Sequence, residues 1–466
     1  MAVLPGTEAE FEGLPVLSLR EAVARGLEYS PQLRASQEVV NQVRTNIKRA
    51  YALLLPFVTA SGTYTLADKE IKLDFGDSFG DLFRLVAMNC SGWNTGTMGP
   101  LPTLCQNGSG TGSSNGQSSG PTVIQQRHNY DFGVSAGVSL LNLRTWPQLY
   151  NVYTGVELAR LQHDFSRDLL AYAVTQTYFG VAAAQEAVRL TRENLGNAMR
   201  HMDLTEIRFT NGVALQNERV RSAMAVLQAR NNLDQALAAL DGTRTALALL
   251  VGREDSAFQV EEQPNLPWET PASSPVRLED HAGRKDLLML DKMLVMANRQ
   301  VTDVWAQFAP TITGVWNWSY SSVTGFGGEH TQWRAIVSLN WSLFSGGMRL
   351  ADLDESKARV REIRFNRDQA ALQARMEVAA ALTEEVKARR NLKAGEELVE
   401  LAKENLALVE RQYELGVASQ ATVVDAETMF NTSRIQVLQG RLVLVLAQMA
   451  LSRAQGTFDY RMFTHP

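Results

Sequence analysis

A basic excess is missing from this chain: 45 Lys and Arg stand against 50 Asp and Glu over 466 residues, a formal net charge of -5. Nucleic acid is thereby excluded as a partner, because binding phosphates needs a basic stripe. Long hydrophobic runs are missing too. The best candidate, Leu442 to Leu451, is too short for a transmembrane helix and contains Gln448. If this chain meets a membrane, it does so through strands. Six histidines (His128, His163, His201, His281, His330 and His465) are scattered, without the paired spacing of a zinc helix. No Gly-Lys-Ser/Thr phosphate loop and no nucleophile–base constellation occurs. The reading is of a protein that is not an enzyme and takes no cofactor or metal.

Cysteine is nearly absent. Cys90 and Cys105 lie close together in a stretch rich in Gly, Ser, Asn and Thr. A metal site needs more ligands, so a loop-closing disulfide and an oxidising compartment are expected, with two free thiols as the alternative. Met1-Ala-Val-Leu-Pro5 lacks the basic start and apolar run of a secretory leader.

What is present is present twice. Leu33 to Pro56 and Leu287 to Pro310 have the same length, and strand-like segments follow both prolines. Arg208-Phe-Thr-Asn-Gly-Val-Ala214 pairs with Gln412-Tyr-Glu-Leu-Gly-Val-Ala418. A repeat of this period is a duplicated structural unit. The first repeat is expected over 1–260, with a strand at 57–70, a long loop at 74–127 and a strand at 128–142. A linker at 261–281 carries Pro264, Pro267, Pro271 and Pro275. The second repeat covers 282–458, with strands at 311–322 and 331–344, and 459–466 is a tail.

Each repeat opens with a helix. Ser18-Leu-Arg-Glu21 reads as a capping box, and the helix after it is expected to reach Leu55, before Pro56. Leu278-Glu-Asp-His-Ala282 is the corresponding start in the second half. The strands alternate. Val58, Ala60, Tyr64 and Leu66 face one way, and Thr59, Ser61, Thr63 and Thr65 the other. The same pattern runs through Tyr130 to Leu140, Ile312 to Tyr320 and Trp333 to Leu343. Tyr64, Tyr130, Trp316, Trp318, Tyr320, Trp333 and Trp341 supply an aromatic girdle, as on an outer-membrane barrel wall. A soluble β-sandwich is the alternative.

Helical patterns from about Pro147 to Asn211 and Gly347 to Leu415 each imply a rod of roughly 90 to 100 Å. Gly212 and Gly416 mark reversals into second helices that stop near Gly252 and Gly456. Ala388, Leu392, Gly395, Val399, Ala402, Leu406 and Val409 form a coiled-coil seam with many small residues. Four strands cannot enclose a water-filled lumen, and open edges in lipid are prohibitively costly. Three chains pooling twelve strands satisfy both limits.

The layout, the Ser342-Leu-Phe-Ser-Gly-Gly347 junction, the tips Phe209-Thr-Asn-Gly-Val213 and Tyr413-Glu-Leu-Gly-Val417, and Thr422-Val-Val-Asp-Ala-Glu427 together resemble the TolC-like outer-membrane efflux protein family. That resemblance implies a mainly α fold with a membrane β-barrel. Duplicated long-helix hairpins form a trimeric α-helical barrel, and a 12-stranded β-barrel takes four strands from each chain. It also implies a homotrimer in outer-membrane lipid, with its tunnel in the periplasm, serving as passive exit duct for efflux or type I secretion. A periplasmic adaptor protein and an inner-membrane transporter are the implied partners. Tyr413 holds the family's tyrosine position, Glu218 stands where a carboxylate accepts its hydroxyl, and Asp425 matches an axial carboxylate ring. Ala418 and Thr422 depart from the family's arginine link and second aspartate ring. Phe209, Asn211, Gly212, Val213, Leu415, Gly416 and Val417 are the implied adaptor-docking tips. The competing readings are a stand-alone porin and a soluble coiled-coil scaffold.

Overall fold

A computed structural model describes residues 14–73, 122–261, 283–324 and 329–464. Cys90 and Cys105, the glycine-rich part of the predicted loop and the predicted helix start at Leu278 lie outside them. In chain order the elements are β1 (Val16–Leu17), α1 (Leu19–Tyr29), α2 (Pro31–Ala52), β2 (Phe57–Leu66), β3 (Ile71–Leu73), β4 (Thr122–Gln125) and β5 (His128–Leu141). There follow α3 (Thr145–Thr210), α4 (Gln216–Val251), β6 (Gln259–Val260), α5 (Lys285–Ala306), β7 (Thr311–Ser321) and β8 (Thr331–Asn340). The chain ends with α6 (Met348–Glu414), α7 (Gln420–Gln455) and α8 (Arg461–Thr464).

Two units separate. One comprises 1–48, 147–304 and 350–466; the other comprises 49–146 and 305–349. The first is helical. Leu17, Val23, Val174, Tyr178, Val181, Leu247, Phe258 and Met449 form its main core. Tyr178 is fully buried, its hydroxyl donating to Leu17 O at 2.9 Å and accepting from Glu261 N at 3.0 Å. It thereby fastens β1 and β6, a two-residue parallel pair the sequence pattern does not predict. Along α6 the predicted seam holds: Ala388, Gly395, Ala402 and Val409 are buried, and Leu392, Val399 and Leu406 half-buried. A Cβ on Gly395 would lie 3.3 Å from Val437 Cγ2, so the small residue is what lets α7 approach there.

Three expectations are corrected. The first helix is two: Pro31 removes a backbone donor and opens α2, so α1 stops at Tyr29. Of the predicted capping box, the Ser18 hydroxyl accepts from Glu21 N at 3.2 Å, while the Glu21 carboxylate pairs with Arg25 at 2.6 Å. Finally, α7 does contain an eighteen-residue window long and apolar enough to cross a membrane, wider than Leu442–Leu451. Within α7, Met449 is fully buried and Leu442, Val445 and Leu446 pack part-buried against the main core, while Met429 and Val443 are exposed.

The second unit is a four-stranded antiparallel sheet in the order β2-β5-β7-β8. Register puts Val58, Ala136, Trp316 and Ala335 in one row and Ala60, Val134, Trp318 and Trp333 in the next. The intervening rows carry Thr59, Ser135, Asn317 and Arg334, and Ser61, Gly133, Ser319 and Gln332. One face is therefore apolar and the other polar, as alternation requires. Among the described residues, β2 and β8 each have one edge without a strand partner. The predicted strand 57–70 ends at Leu66; β3 follows at Ile71 and pairs with β4, which lies inside the 74–127 span expected to be loop.

Candidate functional site

The two reversals and the helix ends around them form the candidate site. Val213 N donates to Arg208 O at 2.9 Å and Gly212 N to Phe209 O at 3.0 Å. Val417 N likewise donates to Gln412 O at 2.9 Å and Gly416 N to Tyr413 O at 3.0 Å. Both are Schellman closures that need a left-handed residue, and Gly212 and Gly416 have φ of 73° and 75°. Val213, Leu215, Leu415 and Val417 are left exposed, and Asn211 with them. Phe209 is half-buried, 5.3 Å from the guanidinium of Arg219, which itself pairs with Glu206 at 2.7 Å. Leu215 is the apolar tip residue that the sequence reading passed over.

Glu218 and Tyr413 take different partners from those expected. Glu218 is the third residue of α4, where an unpaired backbone amide attracts a carboxylate, and it accepts from Leu215 N at 3.2 Å. Tyr413 uses its ring: the Arg208 guanidinium lies 4.3 Å from the centroid, and Val409 and Val423 pack in the same cluster. Thr422 and Asp425 sit three residues apart on an exposed face of α7. Thr422 N donates to the Ser419 hydroxyl at 3.3 Å, capping the helix.

The links between halves that the sequence reading missed join α3 to α7. Arg434 donates to both carboxylate oxygens of Glu193, at 3.0 and 2.9 Å. Asn431 Nδ2 donates to Asn194 Oδ1 at 2.7 Å. His201 Nε2 lies 2.7 Å from Glu427 Oε1. Gln420 Nε2 donates to Thr205 Oγ1 at 2.9 Å, with both residues buried. Numbers rise on α3 as they fall on α7, so the helices run antiparallel through four polar rungs. The Arg434 bonds hold the Glu193 carboxyl below its ordinary range. The Glu427 bond raises the His201 imidazole above its ordinary value against the opposing effect of burial. On each helix the three inner rungs span eleven residues, Asn194 to Thr205 and Asn431 to Gln420, but the steps between them differ, so spacing alone does not pair them.

On the sheet, Tyr64 and Tyr130 pair directly, ring centroids 5.1 Å apart, and Tyr64 bonds His128 Nδ1 at 2.8 Å. Tyr320 is beside Phe132 at the same end, with Trp318 and Trp333 paired two positions further in. Trp341 follows β8 at the opposite end, its indole donating to Phe308 O at 3.0 Å. Trp316 is at the middle of β7 rather than at either end.

Residues 99–253 and 281–457 match the family described as outer membrane efflux protein. TtgC of Pseudomonas putida, described as a probable efflux pump outer membrane protein, is 26% identical over 369 residues, 76% of this chain and 75% of TtgC. CusC of Escherichia coli, a cation efflux system protein, is 24% identical over 365 residues, 75% of this chain and 77% of CusC. The crystal structure of the outer membrane protein VceC from Vibrio cholerae superposes with a TM-score of 0.71 at 17% identity. That match covers 94% of this chain and 96% of VceC and concerns the fold.

Proposed function

Because this chain belongs to the outer membrane efflux protein family, we propose that it is the exit duct of a tripartite efflux pump. Three copies form the duct, and a periplasmic adaptor and an inner-membrane transporter open it at the helical tips. It is an outer-membrane channel with its helical tunnel in the periplasm. The observation that carries the trimer is the sheet. Its apolar face is exposed, Trp333 by 70% and Val337 by 73%, and both outer edges are unpartnered among the described residues. Lipid tolerates the exposed face but not the open edges. Three sheets joined edge to edge give twelve strands, an even number within the range of closed barrels.

A stand-alone porin needs only short periplasmic turns. α3 and α6, with 66 and 67 residues, are far longer than that. The gate resides where α3, α6 and α7 meet. Arg208 on Tyr413 and the four rungs between α3 and α7 hold the tips together, while Thr422 and Asp425 face the axis, giving three copies a ring of carboxylates that favours cations. Glu218 stiffens the turn into α4. The exposed apolar tips Val213, Leu215, Leu415 and Val417, with Phe209, receive the adaptor.

The test is the protein mass of the detergent-solubilised particle by light scattering. Three chains is the expected value. A stable monomer would leave two open edges in lipid and sink the duct.

A further inference from the structure

One rung of the α3–α7 ladder differs from the rest. Beside the His201–Glu427 contact lies Glu410 of α6. One ligand atom from each of the three residues lies within 4.8 Å of the others. His201 and Glu427 are part-buried and Glu410 is exposed. The neighbouring rungs are balanced, amide to amide, amide to hydroxyl, or guanidinium to carboxylate. Here two carboxylates converge on a single imidazole, and among the described residues neither is paired with Lys or Arg. The three ligands come from three different helices, so the cluster is not the solvated face of one of them.

We propose that His201, Glu410 and Glu427 form a binding site for one borderline divalent cation of the zinc type, tying α3, α6 and α7 together near the tips. Imidazole with two carboxylates is a donor set such cations accept, while calcium and magnesium favour oxygen alone. Bonds of about 2.0 to 2.2 Å put tetrahedral ligand atoms roughly 3.4 Å apart. The His201–Glu427 contact must open slightly from 2.7 Å and Glu410 must close in, which an exposed glutamate achieves by rotamer change. Water takes the fourth position. Two negative charges then meet two positive ones, and α3, α6 and α7 become joined by coordinate bonds.

The experiment uses the purified full-length protein in detergent. Zn2+ is titrated against a competing chelating dye, and Co2+ is followed by its visible absorption, which reports tetrahedral coordination. The wild type is expected to bind one more Zn2+ per protomer than His201→Gln or Glu410→Gln. The tetrahedral Co2+ bands are expected to vanish in both variants. Glu410 is exposed, so its variant keeps the test decisive if His201→Gln fails to fold. Equal stoichiometry in wild type and Glu410→Gln, or Co2+ bands that survive in it, would overturn the site. Because the readout is binding, it is independent of whether the protein conducts.

Discussion

The Gln420 side chain donates to Thr205 Oγ1 at 2.9 Å between two buried residues, tying the first turn of α7 to the last turns of α3. Thr205 in turn donates to the His201 backbone carbonyl at 2.8 Å, so the bond continues into the backbone of α3. The other amide atom of Gln420, Oε1, is buried with no hydrogen-bond partner among the described residues. Gln420→Leu therefore removes one good bond and one unsatisfied acceptor together. The net loss is expected at the low end of the usual range, about 0.5 to 1 kcal/mol. Thermal unfolding followed by circular dichroism measures it, and single-channel recordings should show more frequent opening. A loss several times larger would mean that the buried Gln420–Thr205 bond carries more of the α3–α7 contact than a single hydrogen bond.

Tyr413 meets Arg208 through its ring. Arg208 stacks on it at 4.3 Å. Tyr413→Phe is expected to leave stability and closed-channel conductance near wild type, because stack and packing survive. Arg208→Gln should lose the cation–π term, about 0.5 to 1 kcal/mol at a partly exposed site, and raise conductance. A rise in Tyr413→Phe with none in Arg208→Gln would return the latch to the hydroxyl.

Much of this architecture was legible because it is periodic. Alternation fixed the faces of β2, β5, β7 and β8, and small residues at spacings of four and three marked the seam along α6. Gly212 and Gly416 punctuate both tips, and Gly252 and Gly456 both helix ends, since only glycine takes a left-handed φ without strain. What escaped was either very short or long-range. Val16–Leu17 and Gln259–Val260 are too brief to show a period, and their pairing depends on Tyr178, some 160 residues from Leu17. The four rungs join residues more than 200 positions apart, and their partners are legible only once the two helices are known to be antiparallel neighbours. Glu218 serves its own helix end, accepting from Leu215 N, a local bond that a pairing across the chain does not reveal.

The Glu193–Arg434 rung makes stability depend on acid. Arg434 holds the folded Glu193 carboxyl low, and Arg189 and Arg200 act in the same direction. A depressed carboxyl contributes stability above its unfolded value, near 4.3, and loses it as pH falls through the folded value. Glu193 is substantially exposed, so the contribution is below about 1 kcal/mol. Comparing Tm of wild type and Arg434→Gln, the gap should be constant from pH 8 to 5 and close below about pH 4. A gap that persists at pH 3 would show that Arg434 acts by packing, including its 5.4 Å approach to the Phe430 ring.

The glycines at the two ends of the helical hairpins are expected to differ in cost. All four take φ between 72° and 75°, so alanine at any of them carries left-handed strain of about 1 kcal/mol. At Gly212 and Gly416 no described residue lies within 4 Å of an added Cβ, and the strain is the whole effect. At Gly456 a Cβ would sit 2.6 Å from Arg284 N and 2.8 Å from Gly283 C. These are backbone atoms and cannot rotate away, so α5 and the end of α7 must separate. Overpacking adds about 1 to 3 kcal/mol, for a total near 2 to 4. Gly456→Ala should thus lower Tm several-fold more than Gly416→Ala under the same conditions. Equal shifts would mean that the approach of α5 to the end of α7 is loose, and that the glycine there serves its turn alone.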